Sequence, residues 1–373
     1  MPKHKIEVGC RVANSFRVQQ VAGMFDVPLS ERSQKTFSIE LPDIGEEWEI
    51  GLIVGPSGSG KTTVARELLG EYLYKPQRWP RDKSILDGFP ESVSGPVIFQ
   101  MLSSVGFSSP PDWAKPYAML SNGQQFRCDL ARALLADTKL VVFDEFTSVV
   151  DRTVAKIGSA AVAKSMRAGR IGKKFVAVTC HYDVAEWLEP DWVLDMSTGQ
   201  LARSRLQRPP IELEIFRCKA SAWELFKPHH YLTASLSHSA FCFMATVDGD
   251  PVGFDAWMPF FGRLKTDQRA RRGHRTVVLP DYQGVGIGST LFTTIASMWK
   301  GLGLRAFSCT AHPAEVRARL RSKRWRMTRA PGRTAKGHHR SMDKRRAADR
   351  LTASFEYIGE AMDATAAAQL LRG

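Results

Sequence analysis

Gly55-Pro56-Ser57-Gly58-Ser59-Gly60-Lys61-Thr62 is the run whose residue types and spacing say most about chemistry. The pattern G-x-x-x-x-G-K-T places glycines where backbone N–H groups turn toward an anion, and a following helix N-terminus adds positive potential. Lys61 is expected to reach the β and γ phosphates of a nucleoside triphosphate, and the Thr62 hydroxyl to ligate Mg²⁺, with Thr63 next in the same turn. A second cue lies downstream, where Leu140-Val141-Val142-Phe143 runs into Asp144-Glu145. A carboxylate at the end of a buried strand is costly unless it serves an ion or a hydrogen bond. Asp144 therefore reads as the magnesium-side carboxylate, and Glu145 as the base that orients an attacking water.

Such groups must be held by strands and helices in a set order. Trp48–Val54 is an apolar run suited to a buried strand, and Thr62–Gly70 reads as the helix after it. Leu140–Phe143, Phe175–Thr179 and Asp191–Met196 read as further strands separated by helical patterns, which indicates an α/β fold with a largely parallel sheet. Val12–Leu41 reads as short strands and turns. Arg203–Pro210, ending in Pro209-Pro210, is the best linker. A new alternating strand begins at Ile211, and a second domain is expected to run to Thr328. The predicted organisation is thus 1–205, 211–328, and a basic tail over 329–373 with an alanine-rich helix within Leu351–Gly373.

Leu120-Ser121-Asn122-Gly123-Gln124-Gln125 precedes the Asp144-Glu145 strand, and His181 follows the strand ending at Thr179. The order of phosphate loop, signature, acidic pair and histidine resembles the ABC-type ATPases over about residues 10–205. The resemblance implies two ATPs held between two copies of the chain. Ser121 and Gly123 of one copy, with Gln124 beside them, would meet the γ-phosphate on Lys61 of the other. His181 would sense that phosphate, and Ser148-Val149-Val150-Asp151 occupies the D-loop place. Asn122 replaces the first glycine of the family's pair. Gln77 is the candidate Q-loop glutamine, since Gln100 falls in a predicted helix, and Phe25 is the candidate adenine-stacking aromatic.

A different loop follows the predicted strand Thr276–Pro280. It reads Gln283-Gly284-Val285-Gly286-Ile287-Gly288-Ser289 and opens a helix running through Lys300. The Q-x-x-G-x-G core resembles motif A of the GNAT acyltransferases, in which backbone N–H groups at a helix N-terminus hold the pyrophosphate of acetyl-CoA. That resemblance carries over to Leu279 and to Gln283 through Ser289. A dinucleotide fingerprint fails because Ser289 stands where its third glycine would be. A predicted hairpin, Phe241–Val247 with Val252–Ala256, precedes the loop; Arg305–Thr310 and Ala314–Ser322 read as the strand and helix after it. Transfer to an amine needs a base and an acid. His230, from the His229-His230-Tyr231 cluster, and His312, just past a strand, are the candidates.

The chain carries a net charge of +14, concentrated over 317–350, where fourteen Lys or Arg face two aspartates. Concentrated positive charge favours a polyanion, and nucleic acid is the expected partner there, with a DNA or RNA base as a candidate acyl acceptor. The six cysteines are scattered singly, so neither a disulfide framework nor a zinc site is indicated. No run is apolar enough for a membrane helix, the N-terminus lacks a signal-peptide pattern, and a cytoplasmic location is expected. Two other readings account for some of these features. One is the ATPase subunit of a transporter docked on a separate permease. The other is a nucleotide-gated clamp on nucleic acid without acyltransferase activity.

Overall fold

The computed structural model describes residues 3–11, 15–25, 32–203, 209–230, 235–260, 269–333 and 351–372. The chain divides into two compact units, Met1–Arg78 with Cys128–Pro209, and Trp79–Arg127 with Pro210–Gly373.

In the first unit, β1 (Lys3–Arg11) and β2 (Arg32–Glu40) pair antiparallel. The helix Phe16–Phe25 joins them where strands and turns alone were predicted. The main sheet contains β3 (Ile50–Val54), β4 (Leu140–Phe143), β5 (Lys174–Thr179), β6 (Trp192–Asp195) and β7 (Gln200–Ala202), in the order β4-β5-β3-β6-β7. All pairings are parallel except β6 with β7. Every residue of β3 and β4 is buried, which explains their unbroken apolar runs. The helices Lys61–Leu69 and Arg152–Arg167 follow β3 and β4. At the N-terminal end of β3, Asp191 accepts the N–H groups of Glu49 and Ile50 at 2.8 and 2.9 Å. Arg167 donates to Asp191 at 2.8 Å and also pairs with Glu49, tying strand starts to the Arg152–Arg167 helix.

The second unit is built on a seven-stranded sheet. Its strands are β8 (Glu214–Cys218), β9 (Phe241–Val247), β10 (Asp250–Pro259), β11 (Ala270–Val278), β12 (Arg305–Thr310), β13 (Trp325–Arg333) and β14 (Leu351–Tyr357). Their order is β13-β14-β12-β11-β10-β9-β8, and only β11 with β12 is parallel. That parallel pairing covers Ala270–Arg272 against Arg305–Phe307 and then stops, although both strands continue. The ladder is broken just before the two strands deliver their C-terminal ends. The helix Ile287–Gly301 buries Leu291, Phe292, Ile295 and Trp299. Residues 79–127 contribute the helices Gly95–Ser104 and Pro110–Trp113 and the start of Asn122–Leu134. Trp79 stacks on Tyr117 and Phe99 on Trp113, with ring centroids 4.9 and 5.3 Å apart.

Two features differ from the division read in the sequence. Residues 79–127 group with the C-terminal unit rather than with the rest of 1–205. The segment expected to be a basic tail contributes sheet strands: β14 lies between β12 and β13, well inside the sheet. Alternate residues Ala353, Phe355 and Tyr357 are buried, a period-2 signal masked by the charge around it. Only Ala364–Arg372 is helical at the chain's end. The basic stretch 334–350 lies outside the described residues, as do 204–208 of the linker and Tyr231.

Candidate functional sites

The first site is assembled by strand order. β5 lies between β4 and β3, so the segments leaving the C-terminal ends of these three strands are neighbours. They are the acidic pair after β4, His181 after β5, and the phosphate loop after β3. Crevices at the carboxyl ends of parallel strands are where α/β sheets bind ligands. Within the loop, Gly58 and Gly60 have φ of +76° and +93°, and Gly60 is the N-cap of the Lys61–Leu69 helix. A Cβ at either would be strained in this left-handed region. Lys61 donates to the carbonyls of Gly55 and Pro56, both at 2.9 Å, so its ammonium lies over the loop. Thr62 and Thr63 stand in the first turn of the helix, Pro56 and Ser57 are exposed, and Ser59 is buried.

Asp144 accepts the backbone N–H of Glu145 at 2.9 Å, and Glu145 accepts from the Ser148 hydroxyl at 2.6 Å. Glu145 and Thr147 both have positive φ, +53° and +67°, uncommon for residues with a Cβ and typical of strained functional turns. The Thr147 hydroxyl lies 3.3 Å from His181 Nδ1. The His181 pKa is held below its usual value, first by burial and then by the nearby Arg152, with Asp183 and Glu145 opposing. His181 is therefore neutral at pH 7, a state in which a ring nitrogen can donate to or accept from a neighbouring oxygen. Asp151 caps the Arg152–Arg167 helix by accepting from Val154 N–H at 2.9 Å. The loop glycines, the first-turn threonines and the Asp144 carboxylate make a donor set that suits a triphosphate with Mg²⁺.

Gln77 is exposed, and its carbonyl accepts from Arg132; Phe25 closes the Phe16–Phe25 helix, and its side chain is outside the described residues. Ser121, Gly123 and Gln124 belong to the second unit. There Gln124 N–H donates to Ser121 Oγ at 3.3 Å, and Ser121 N–H to Gln124 Oε1 at 3.1 Å. This reciprocal pair is a capping box, so the S-x-x-Q of the signature also starts its own helix. Gln124 Nε2 further donates to the buried Asp112 at 3.0 Å.

The second site is formed where β11 ends. Gly284 and Gly286 have φ of +94° and +106°, and Gly286 is the N-cap of Ile287–Gly301. Val285 and Ile287 are buried and anchor the loop, while Ser289 is exposed. A Cβ on Gly288 would come within 3.1 Å of Val278 Cγ2. Leu279 N–H donates to Val252 O at 3.0 Å, holding the strand end to β10. Gln283 bridges two backbones: its Nε2 donates to Val278 O at 2.9 Å, and its Oε1 accepts from Ser108 N–H at 2.8 Å. His312, after β12, also hydrogen-bonds the Ser108 backbone, and burial holds its pKa below the usual value. His230 packs edge-on against Trp223 at 5.5 Å.

Four polar groups of this unit were not singled out by sequence reasoning. Ser108 and Arg127 come from the 79–127 segment. Asp255 on β10 is fully buried, accepts from Thr276 Oγ1 at 2.7 Å and Trp257 Nε1 at 2.5 Å, and is pushed up to about 7 by burial, against those two hydrogen bonds. His274 falls in the β10–β11 register shift and is pushed down to about 4 by burial and by Arg275 and Arg272. Its Nε2 accepts from Ser237 N–H at 3.2 Å, which leaves the ring proton on Nδ1. None of the four carried a motif; each is identified by what packs around it.

Residues 209–320 match the model of the Acetyltransferase (GNAT) family. The N-terminal half is similar to several curated proteins, most of them named as ATP-binding proteins. Mating factor M secretion protein mam1 of Schizosaccharomyces pombe is 28% identical over 210 residues, covering 46% of this chain and 15% of the relative. Energy-coupling factor transporter ATP-binding protein EcfA of Malacoplasma penetrans is 25% identical, covering 51% of this chain and 75% of the relative. Zinc import ATP-binding protein ZnuC 2 of Hahella chejuensis is 34% identical over 125 residues, covering 28% of this chain and 51% of the relative. The chain thus spans between 15% and 75% of the length of these relatives. Among solved structures, a dimeric ATP-binding cassette in a post-hydrolysis state with ADP and Pi aligns at a TM-score of 0.35 and 19% identity, covering 47% of this chain and 94% of that one.

Proposed function

From a chain that joins an ABC ATPase-like region to a GNAT acetyltransferase domain, we propose an ATP-driven dimer that transfers an acyl group from acetyl-CoA. The observation that carries the ATPase reading is the convergence of Gly55–Thr62, Asp144-Glu145 and His181 on the ends of β3, β4 and β5. Lys61 and the loop N–H groups would bind the β and γ phosphates, and Thr62 and Asp144 would hold Mg²⁺. The metal, when bound, neutralises charge developing on the phosphates. Glu145 would orient the attacking water, and His181 would contact the γ-phosphate. The Ser121–Gln124 signature supports a second copy of the chain completing each ATP site.

In the transferase half, loop N–H groups between Gly284 and Ser289 would hold the pyrophosphate of acetyl-CoA at the helix N-terminus. An acceptor amine attacks the thioester carbonyl, the C–S bond breaks, the amine loses a proton to a base, and the leaving thiolate gains one. His312 and His230 remain the residues we propose for these proton transfers. His312 is favoured by its link through Ser108 to Gln283. We propose a polyanionic acceptor, such as a nucleic-acid base, on the strength of the basic run 317–350.

The test is direct. Glu145→Gln should bind ATP, fail to hydrolyse it and sediment as a dimer, while the wild type should bind acetyl-CoA in calorimetry. Normal turnover by Glu145→Gln would remove Glu145 from its role, and no acetyl-CoA binding would remove the transferase reading. For the acceptor, binding to nucleic acid should weaken steeply with salt. Nucleic acid from cells with active protein should carry a new acyl mass.

A further inference from the structure

The second unit contains an attachment that neither motif explains. Arg127 lies six residues after the signature Ser121 and is fully buried, at 0% exposure. Its Nη1 donates to Pro280 O at 2.8 Å and its Nη2 to Asp281 O at 3.1 Å. Pro280–Tyr282 is the 3-10 turn that leads into Gln283 and the glycine loop. One guanidinium therefore grips two successive carbonyls at the root of the acyl-CoA loop. Burying a guanidinium is costly unless its donors are paired, and these two carbonyls pair both of its terminal nitrogens.

Two further links run parallel to it. Ser108 N–H donates to Gln283 Oε1, and the Ser108 backbone also bonds His312. Arg317, in the helix Pro313–Arg321 that follows His312, donates to Gln100 Oε1 at 2.8 Å. The segment 79–127 thus touches both arms of the opening between β11 and β12. Ser121 caps the helix that carries Arg127, and at 1.5 Å rise per residue about 9 Å of continuous helix separates them. One helix thus joins the signature serine to the side chain that holds the carbonyls of Pro280 and Asp281.

We propose that Arg127 and Ser108 couple the signature segment to the acyl-CoA loop, so that nucleotide engaged at Ser121 sets the affinity of that loop for acyl-CoA. The proposal rests on the reading that Ser121 contacts ATP and that Gln283–Ser289 binds acyl-CoA. Arg127 is a positioning residue: it acts through the loop backbone and touches no reacting atom. Coupling is reciprocal, so acyl-CoA must change ATP affinity by the same factor.

The experiment is calorimetry of acetyl-CoA with full-length Glu145→Gln protein, with and without saturating ATP. The expected result is a change in acetyl-CoA affinity of about 5-fold or more, the lower end of usual allosteric coupling. Adding Arg127→Met should bring the ratio close to one while ATP and acetyl-CoA still bind, with a lower melting temperature from the two carbonyls left unpaired. A merely structural role would lower stability and leave the ratio intact. Should Arg127→Met fail to fold, Gln100→Ala, which removes an exposed hydrogen bond, should reduce the ratio. Equal acetyl-CoA affinity with and without ATP, in protein that binds both, overturns the coupling and leaves the functional reading standing. Failure to bind acetyl-CoA at all overturns both.

Discussion

Replacing Asp255 by Asn should flatten a pH dependence that this one carboxyl imposes on the C-terminal unit. Asp255 is fully buried and pushed up to about 7 from an ordinary 3.8. Below pH 4 the carboxyl is neutral in both folded and unfolded chains. Between pH 4 and 7 the unfolded chain releases the proton and the folded chain keeps it, so stability falls as pH rises. Above 7 both are ionised and the loss is complete. That gap is worth about 4 kcal/mol, as an upper figure. The assay is urea unfolding at pH 5 and pH 8, followed by tryptophan fluorescence, to which Trp257 beside Asp255 contributes. In Asp255→Asn the amide oxygen can accept from the Trp257 N–H while the NH2 donates to the Thr276 hydroxyl, and any remaining cost is present at both pH values and cancels. The wild type should lose about 3 kcal/mol more than the variant between the two conditions, since part of the fall already lies below pH 5. Identical pH dependence in the two proteins would refute the reasoning.

Other outcomes follow from the same contacts. Gly286→Ala, forced into the left-handed region at φ +106°, should cost about 1–2 kcal/mol of stability and weaken acetyl-CoA binding at least tenfold, read by thermal melts and calorimetry. Lys61→Ala should abolish ATP binding, measured with a fluorescent nucleotide, without lowering acetyl-CoA affinity in the absence of ATP. Arg167→Leu leaves Asp191 and Glu49 without their guanidinium and should destabilise the N-terminal unit by about 2–3 kcal/mol in chemical denaturation.

Much of the first site was legible along the chain because its chemistry is backbone chemistry. Glycines at fixed spacing, a lysine, a threonine and a strand ending in two acids point to their proposed roles by type and order alone. His181 was legible for the same reason, since it follows a recognisable strand. The second loop was legible through Gly284, Gly286 and Gly288. β14 was not, because its short Ala353-x-Phe355-x-Tyr357 alternation follows a stretch dominated by arginines and lysines. Asp255, His274 and Arg127 were not legible either: an aspartate or arginine inside an apolar stretch looks the same whether it faces water or a partner.

The sequence by itself determined the two glycine-rich loops, the acidic pair and the expectation of two α/β regions. These depend on local backbone conformation and on periodicity, which neighbouring residues specify. Tertiary structure alone decided that residues 79–127 belong with the C-terminal unit, that β14 enters its sheet, and that Arg127 holds Pro280 and Asp281. Those contacts join residues distant along the chain, 153 and 154 positions apart for Arg127, and their strength comes from burial and hydrogen bonding that exist only once the chain has folded around them.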